Sequence, residues 1–106
     1  MSRPYVHRAT GAASLAITVT PSGSEWELLA LRIHLSGAAA AENLTITLDA
    51  AAGAAYDTVV YSKAMSGLTD VLEVFARPIP FNAGDALVIA WANGNSRTYG
   101  LELLWR

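Results

Sequence analysis

Two glutamates, Glu25 and Glu27, flank Trp26 at the start of the stretch EWELLALRIHLS. A paired-carboxylate glycosidase needs two such groups about 5–10 Å apart, and residues i and i+2 of a strand meet that distance. Every E-x-E strand meets it, so the pair by its spacing assigns no catalysis. Asp49, Asp57, Asp70 and Asp85 stand at the ends of apolar runs, where an aspartate caps turns through local hydrogen bonds. Loop carboxylates also ligate calcium, but no D-x-D-x-D spacing occurs. His7 and His34 each lack a second ligand at metal-site spacing, and Arg32 beside His34 disfavours a cation there. No G-x-S-x-G elbow, phosphate-binding loop, H-E-x-x-H or dinucleotide fingerprint is present. The expectation is a protein that is not an enzyme, with no catalytic residues, no metal and no cofactor.

Residues that could bind are easier to name. Sugar-binding sandwiches expose aromatic rings, whose apolar faces stack on pyranoses. Trp26 shares its strand phase with Leu28, Arg32 and His34, opposite Leu29, Leu31, Ile33 and Leu35, and so could lie on an exposed mixed face. The competing reading is a β-bulge near Leu28 that turns Trp26 into the core. The opening MSRPYVHRATG carries Arg3, Tyr5, His7 and Arg8 without periodicity, which suggests an extended basic arm over residues 1–12. The candidate contacts are therefore Arg3, Tyr5, His7 and Arg8 on the arm, and Trp26, Arg32 and His34 on the strand. Nucleic acid is not an expected partner: seven Lys and Arg stand against nine Asp and Glu, and Lys63 is the sole lysine.

The elements that must position these residues are strands. SLAITVT, EWELLALRIHLS, NLTITLD, YDTVVYS, DVLEVFA, DALVIAWA and TYGLELLW alternate or run apolar over short spans, with Gly, Pro, Asn, Asp or Ser between them. Only SGAAAAEN and DAAAGAAYD favour helix, and both are short. About eight short strands over residues 13–106 predict an all-β, antiparallel two-sheet sandwich of jelly-roll-like form. An immunoglobulin-like sandwich is the alternative, without its Cys…Trp…Cys arrangement. LAITVT and LTITLD look alike, as any two amphipathic strands do. At the C-terminus, a hairpin centred on NGNSR would place Trp91 opposite Tyr99, Ile89 opposite Leu101 and Leu87 opposite Leu103. The odd positions of both strands would then form one buried face.

With 106 residues and no cysteine, one core must form by packing or association alone. Charged residues are only 15%, against roughly 25% in an average soluble domain. Either an alanine-rich composition or a surface covered by neighbouring subunits explains that. The opening residues lack the apolar segment of a secretory signal. No run approaches the ~20 apolar residues that span a bilayer. Synthesis and retention in a cytoplasm, with no membrane partner, is the expectation.

EWELLALRIHLSGAAAAENLTITLDAAAGAAYDTVVYS together with FNAGDALVIAWANGNSRTYGLELLWR resembles small virion proteins encoded by tailed bacteriophages and prophages. The shared features are a Trp-led strand, ENLTITLD, G-A-A-YDTVVYS, and a P-[IL]-x-F-x-A-GDAL approach to an N-x-x-x-R-T-Y-G hairpin. They cover residues from about 25 to the end. The resemblance implies a jelly-roll-like subunit of the particle, foremost a head decoration (cement) protein. Its partner would be the phage major capsid protein or another virion protein. It further implies a homo-oligomer, trimer or dimer, assembled in the host cytoplasm and located in the virion, with a terminal arm on the shell. A carbohydrate-binding module of a tail or receptor-binding part is the alternative.

Overall fold

In the computed structural model, which describes residues 4–106, the short alternating runs form eight strands. They are β1 (Tyr5–Gly11), β2 (Leu15–Val19), β3 (Trp26–Leu35), β4 (Asn43–Asp49), β5 (Thr58–Ala64), β6 (Asp70–Phe81), β7 (Ala86–Trp91) and β8 (Tyr99–Trp105). Of the two helix-prone segments, one is a loop and the other yields a single 3-10 turn at Ala54–Tyr56, too short to nucleate a helix. The strands form two antiparallel sheets, β1-β8-β3-β6 (sheet A) and β2-β7-β4-β5 (sheet B).

Pairings join β1 to β8, β2 to β7, β3 to β6 and β4 to β5. The chain is thus one long antiparallel ribbon, doubled back between β4 and β5. Rolling this ribbon brings β8 also against β3 and β7 also against β4. That is the jelly-roll solution to burying two apolar faces, and the all-β sandwich expected from the sequence is the one observed. Leu15, Leu28, Leu31, Leu35, Leu44, Ile46, Leu87, Ile89, Leu101 and Leu103 fill the space between the sheets. Each such side chain contributes roughly 1.5–3 kcal/mol when taken from water.

Two local expectations change, and the β-bulge reading of Trp26 is the one that holds. Residues Tyr5–Gly11 are not a free arm: they form seven consecutive pairs with β8, because β8 offers an open edge of matching phase. Arg3 lies outside the described residues. The C-terminal strands are not a hairpin. β7 pairs with β2 and β4, β8 with β1 and β3, and the two face each other across the core. The odd phase was right, since Leu87, Ile89, Trp91, Tyr99, Leu101 and Leu103 are all buried. A buried odd phase is equally satisfied by paired strands and by strands on opposed sheets. Finally, β3 breaks register between Leu28 and Ala30, so Trp26 and Leu28 turn inward and Trp26 is only 6% exposed. It is a core residue, not an exposed stacking ring.

Candidate functional site

Alternation places one set of side chains from each strand of sheet A outside the sandwich, and the register arranges them in rows. One row reads Thr10–Gly100–His34–Asp70 across β1, β8, β3 and β6. The next reads Arg8–Glu102–Arg32–Leu72, and the third Val6–Leu104–Ala30–Val74. At about 4.8 Å between strands, each row is roughly 14 Å long.

Charge on this face is internally balanced. The Glu102 carboxylate bridges two guanidinium groups, with Arg8 Nε 2.6 Å from Oε2 and Arg32 Nη2 2.9 Å from Oε1. The hydrogen bond from Arg8, aided by the positive charge of both arginines, holds the Glu102 carboxyl below its ordinary range against a smaller desolvation effect. His34 Nδ1 lies 2.5 Å from Asp70 Oδ1, and Thr69 donates to Oδ2 at 3.1 Å. The His34 contact, then the Thr69 bond, depresses the Asp70 carboxyl. Gly100 has no side chain and leaves a shallow depression between Arg8 and His34; a Cβ there would touch nothing within 4 Å. Beside the charges, Leu72 and Val74 are 66% and 65% exposed and Val6 is 41% exposed. The face therefore sets an apolar strip beside two arginines that share one carboxylate. Arginines already held by a carboxylate are poorly placed to take phosphates.

A second group gathers where β1 and β8 meet the β2–β3 loop. The Tyr5 ring stacks on Trp105 with centroids 5.9 Å apart, and His7 lies 6.5 Å from the same indole. Trp26 meets Trp105 edge-on at 6.2 Å and stacks on Phe81 at 4.0 Å. The rings form a ladder from the core to an open cleft whose walls include Pro4, Tyr5, Pro21, Ser22, Glu25 and Trp105. Trp26 Nε1 is buried there with no acceptor among the described residues.

The structure thus divides the residues singled out in the sequence. Arg8, Arg32 and His34 share the outer face of sheet A. Tyr5, His7 and Trp26 surround Trp105. Sequence reasoning missed Glu102, Leu72, Val74 and Val6. Glu102 becomes central only because β8 lies between β1 and β3. DVLEVFA did carry a signal for Leu72 and Val74: both of its phases are apolar, so one must face outward. Among the described residues no group of three or more His, Asp or Glu is arranged to hold a metal ion.

No family model and no curated relative matches the chain. Among solved structures, it is similar to a chain in "Structure of infectious bursal disease virus Gx strain", with a TM-score of 0.25 and 16% identity. The match covers 96% of this chain and 36% of that one, so this chain spans about a third of its neighbour's length. A likeness so distant says nothing of what the chain does.

Proposed function

We propose that the chain is a structural protein of a tailed-bacteriophage virion, a head decoration protein that stabilises the shell by non-covalent contact and catalyses nothing. The observation that carries this reading is the outer face of sheet A, where exposed Val6, Leu72 and Val74 adjoin two arginines that share the Glu102 carboxylate. Its motif resemblance to small virion proteins points the same way. A subunit that binds only the expanded lattice stabilises that lattice by mass action, with no chemistry needed. The partner is the major capsid protein, and the location is the virion, reached by assembly in the host cytoplasm.

The test is co-sedimentation with expanded heads of the phage or prophage whose genome encodes this chain. Leu72→Asp with Val74→Asp is expected to weaken binding at least about tenfold, the equivalent of roughly 1.4 kcal/mol. Thr18→Asp on the opposite sheet is expected to leave binding unchanged. Absence of binding by the unaltered protein would falsify the reading. A second reading, a carbohydrate-binding module of a tail component, is favoured by the Tyr5–Trp105 cleft. It requires a hit on a glycan array and a shift in tryptophan fluorescence that Tyr5→Ala abolishes.

A further inference from the structure

The chain holds the asparagines Asn43, Asn82, Asn93 and Asn95, and only Asn93 is followed by a glycine. An asparagine before glycine is the most labile amide a chain can carry. Gly94 has no side chain to hinder attack of its backbone nitrogen on the Asn93 carboxamide. In that reaction Gly94 N loses its proton and bonds to Asn93 Cγ. The Cγ–Nδ2 bond breaks and the nitrogen leaves as ammonia. Water then opens the resulting succinimide ring at either of its carbonyl carbons, leaving aspartate or isoaspartate at position 93. The reaction needs water alone as co-reactant.

The fold withholds what this chemistry requires. Asn93 is almost wholly buried, so water and hydroxide are kept from it. Its Nδ2, which must take up a proton to depart, donates to the carbonyls of Ala12, Ala13 and Arg97, while Oδ1 accepts the Arg97 N–H. These contacts commit the carboxamide to Ala12, Ala13 and Arg97. The backbone is fixed as well: the Asn93 carbonyl accepts the Ser96 N–H at 2.9 Å, closing a tight turn around Gly94. Neither product fits the same place. Aspartate sets a carboxylate against the three carbonyl oxygens, and isoaspartate lengthens the main chain by a methylene within the turn. We propose that Asn93–Gly94 is a fold-gated deamidation site. It is inert while the Asn93 amide ties the β1–β2 turn to the β7–β8 crossover. Once that crossover opens, the amide is converted and the chain no longer closes into its native form. Prolonged unfolding thereby becomes irreversible through one residue. The gate acts whatever sheet A binds.

Folded protein and protein in guanidinium chloride are incubated at the same mildly alkaline pH, and peptide mass spectrometry follows each asparagine. Conversion at Asn93 is expected to be at least about a hundredfold slower in the folded protein, because only the open fraction reacts. After dilution from denaturant, the fraction that regains native tryptophan fluorescence is expected to fall in step with the amide left at Asn93. Gly94→Ala hinders ring closure and is expected to keep its refolding yield through the same incubation. Gly94 lies outside the left-handed region, and an added Cβ would meet only the flexible end of Glu42, with Oε1 3.1 Å away. Equal conversion in folded and denatured protein overturns the proposal. So does recovery of native fluorescence by unaltered chains already converted at Asn93, a measurement that needs no variant. Loss of refolding by Gly94→Ala at the pace of the unaltered protein overturns it too.

Discussion

Asn93 carries more of the fold than its place in a polar loop suggests. It is 3% exposed and adopts φ 52°, a left-handed conformation that asparagine tolerates better than most residues. Its amide donates to the carbonyls of Ala12, Ala13 and Arg97 at 3.3, 3.0 and 2.9 Å, and its Oδ1 accepts the Arg97 N–H at 2.9 Å. One side chain thus ties the β1–β2 turn to the β7–β8 crossover. Asn93→Ala removes all four contacts and is expected to cost about 2–4 kcal/mol in urea unfolding. Asn93→Asp is expected to cost more, because it aims a carboxylate at three carbonyl oxygens. Tyr61 offers a pH readout. Burial first, then its hydrogen bond to Glu73 and that carboxylate's charge, push its hydroxyl up to about 12. A raised folded value means the contribution is complete below the unfolded value of about 10 and is lost as pH climbs to about 12. Ultraviolet titration is expected to show a late tyrosinate phase near pH 12 that Tyr61→Phe removes. The turn role of Asp57 and Asp85 was legible because it is local. Asp85 accepts the Asn82 N–H, and Asp57 the Ala50 N–H. Asp85 also accepts the Ala51 N–H, thirty-four positions away, and only folding brings that donor near.

The C-terminal strand lies inside sheet A, between β1 and β3, with Trp105 under Tyr5 and against Trp26. Backbone bonds between Glu27 and Arg106 run in both directions, at 2.9 and 3.1 Å, and their side chains pair at 2.8 Å. Removing the residues after Leu103 deprives β1 and β3 of a shared neighbour, so the end of the chain is a structural element. Trp105→Ala is expected to destabilise the protein by about 2–4 kcal/mol, less than a fully buried tryptophan because the ring is partly exposed. Hydrogen exchange should then rise first over Tyr5–Arg8. If only global unfolding changes, β1 is not anchored by that ring. β3 shows how much one residue can alter: without its bulge, Trp26 would have pointed to solvent. β6 runs through Pro78 and Pro80 to Phe81, beyond the DVLEVFA stretch, because an edge strand tolerates prolines whose missing N–H would face water.

Among the described residues the ion pairs all lie on sheet A. Sheet A carries the paired arginines and carboxylates. On sheet B the outward rows Ala16–Ala90–Thr45–Ser62 and Thr18–Val88–Thr47–Val59 hold none. The rolled ribbon also brings the first and last strands together, Tyr5 pairing with Trp105. A circular permutant, with its ends joined by a short glycine linker and reopened at the exposed Gly53, is expected to keep the fold. Its refolding rate is expected to stay within a few-fold of the original, because joining β8 to β1 makes that pair local while opening between β4 and β5 makes that pair the most distant; stopped-flow fluorescence measures this. Apart from β1 and the bulged start of β3, the amino-acid order was sufficient for strand phases, turn positions, fold class and the lack of recognisable catalytic spacing, since each depends on neighbours within a few residues. It could not say which strands share a sheet. Period-two alternation defines an inside and an outside, while partner choice is made by contacts between residues up to a hundred positions apart. The Arg8–Glu102–Arg32 bridge and the apolar row beside it both exist because β8 chose β1 and β3 over β7.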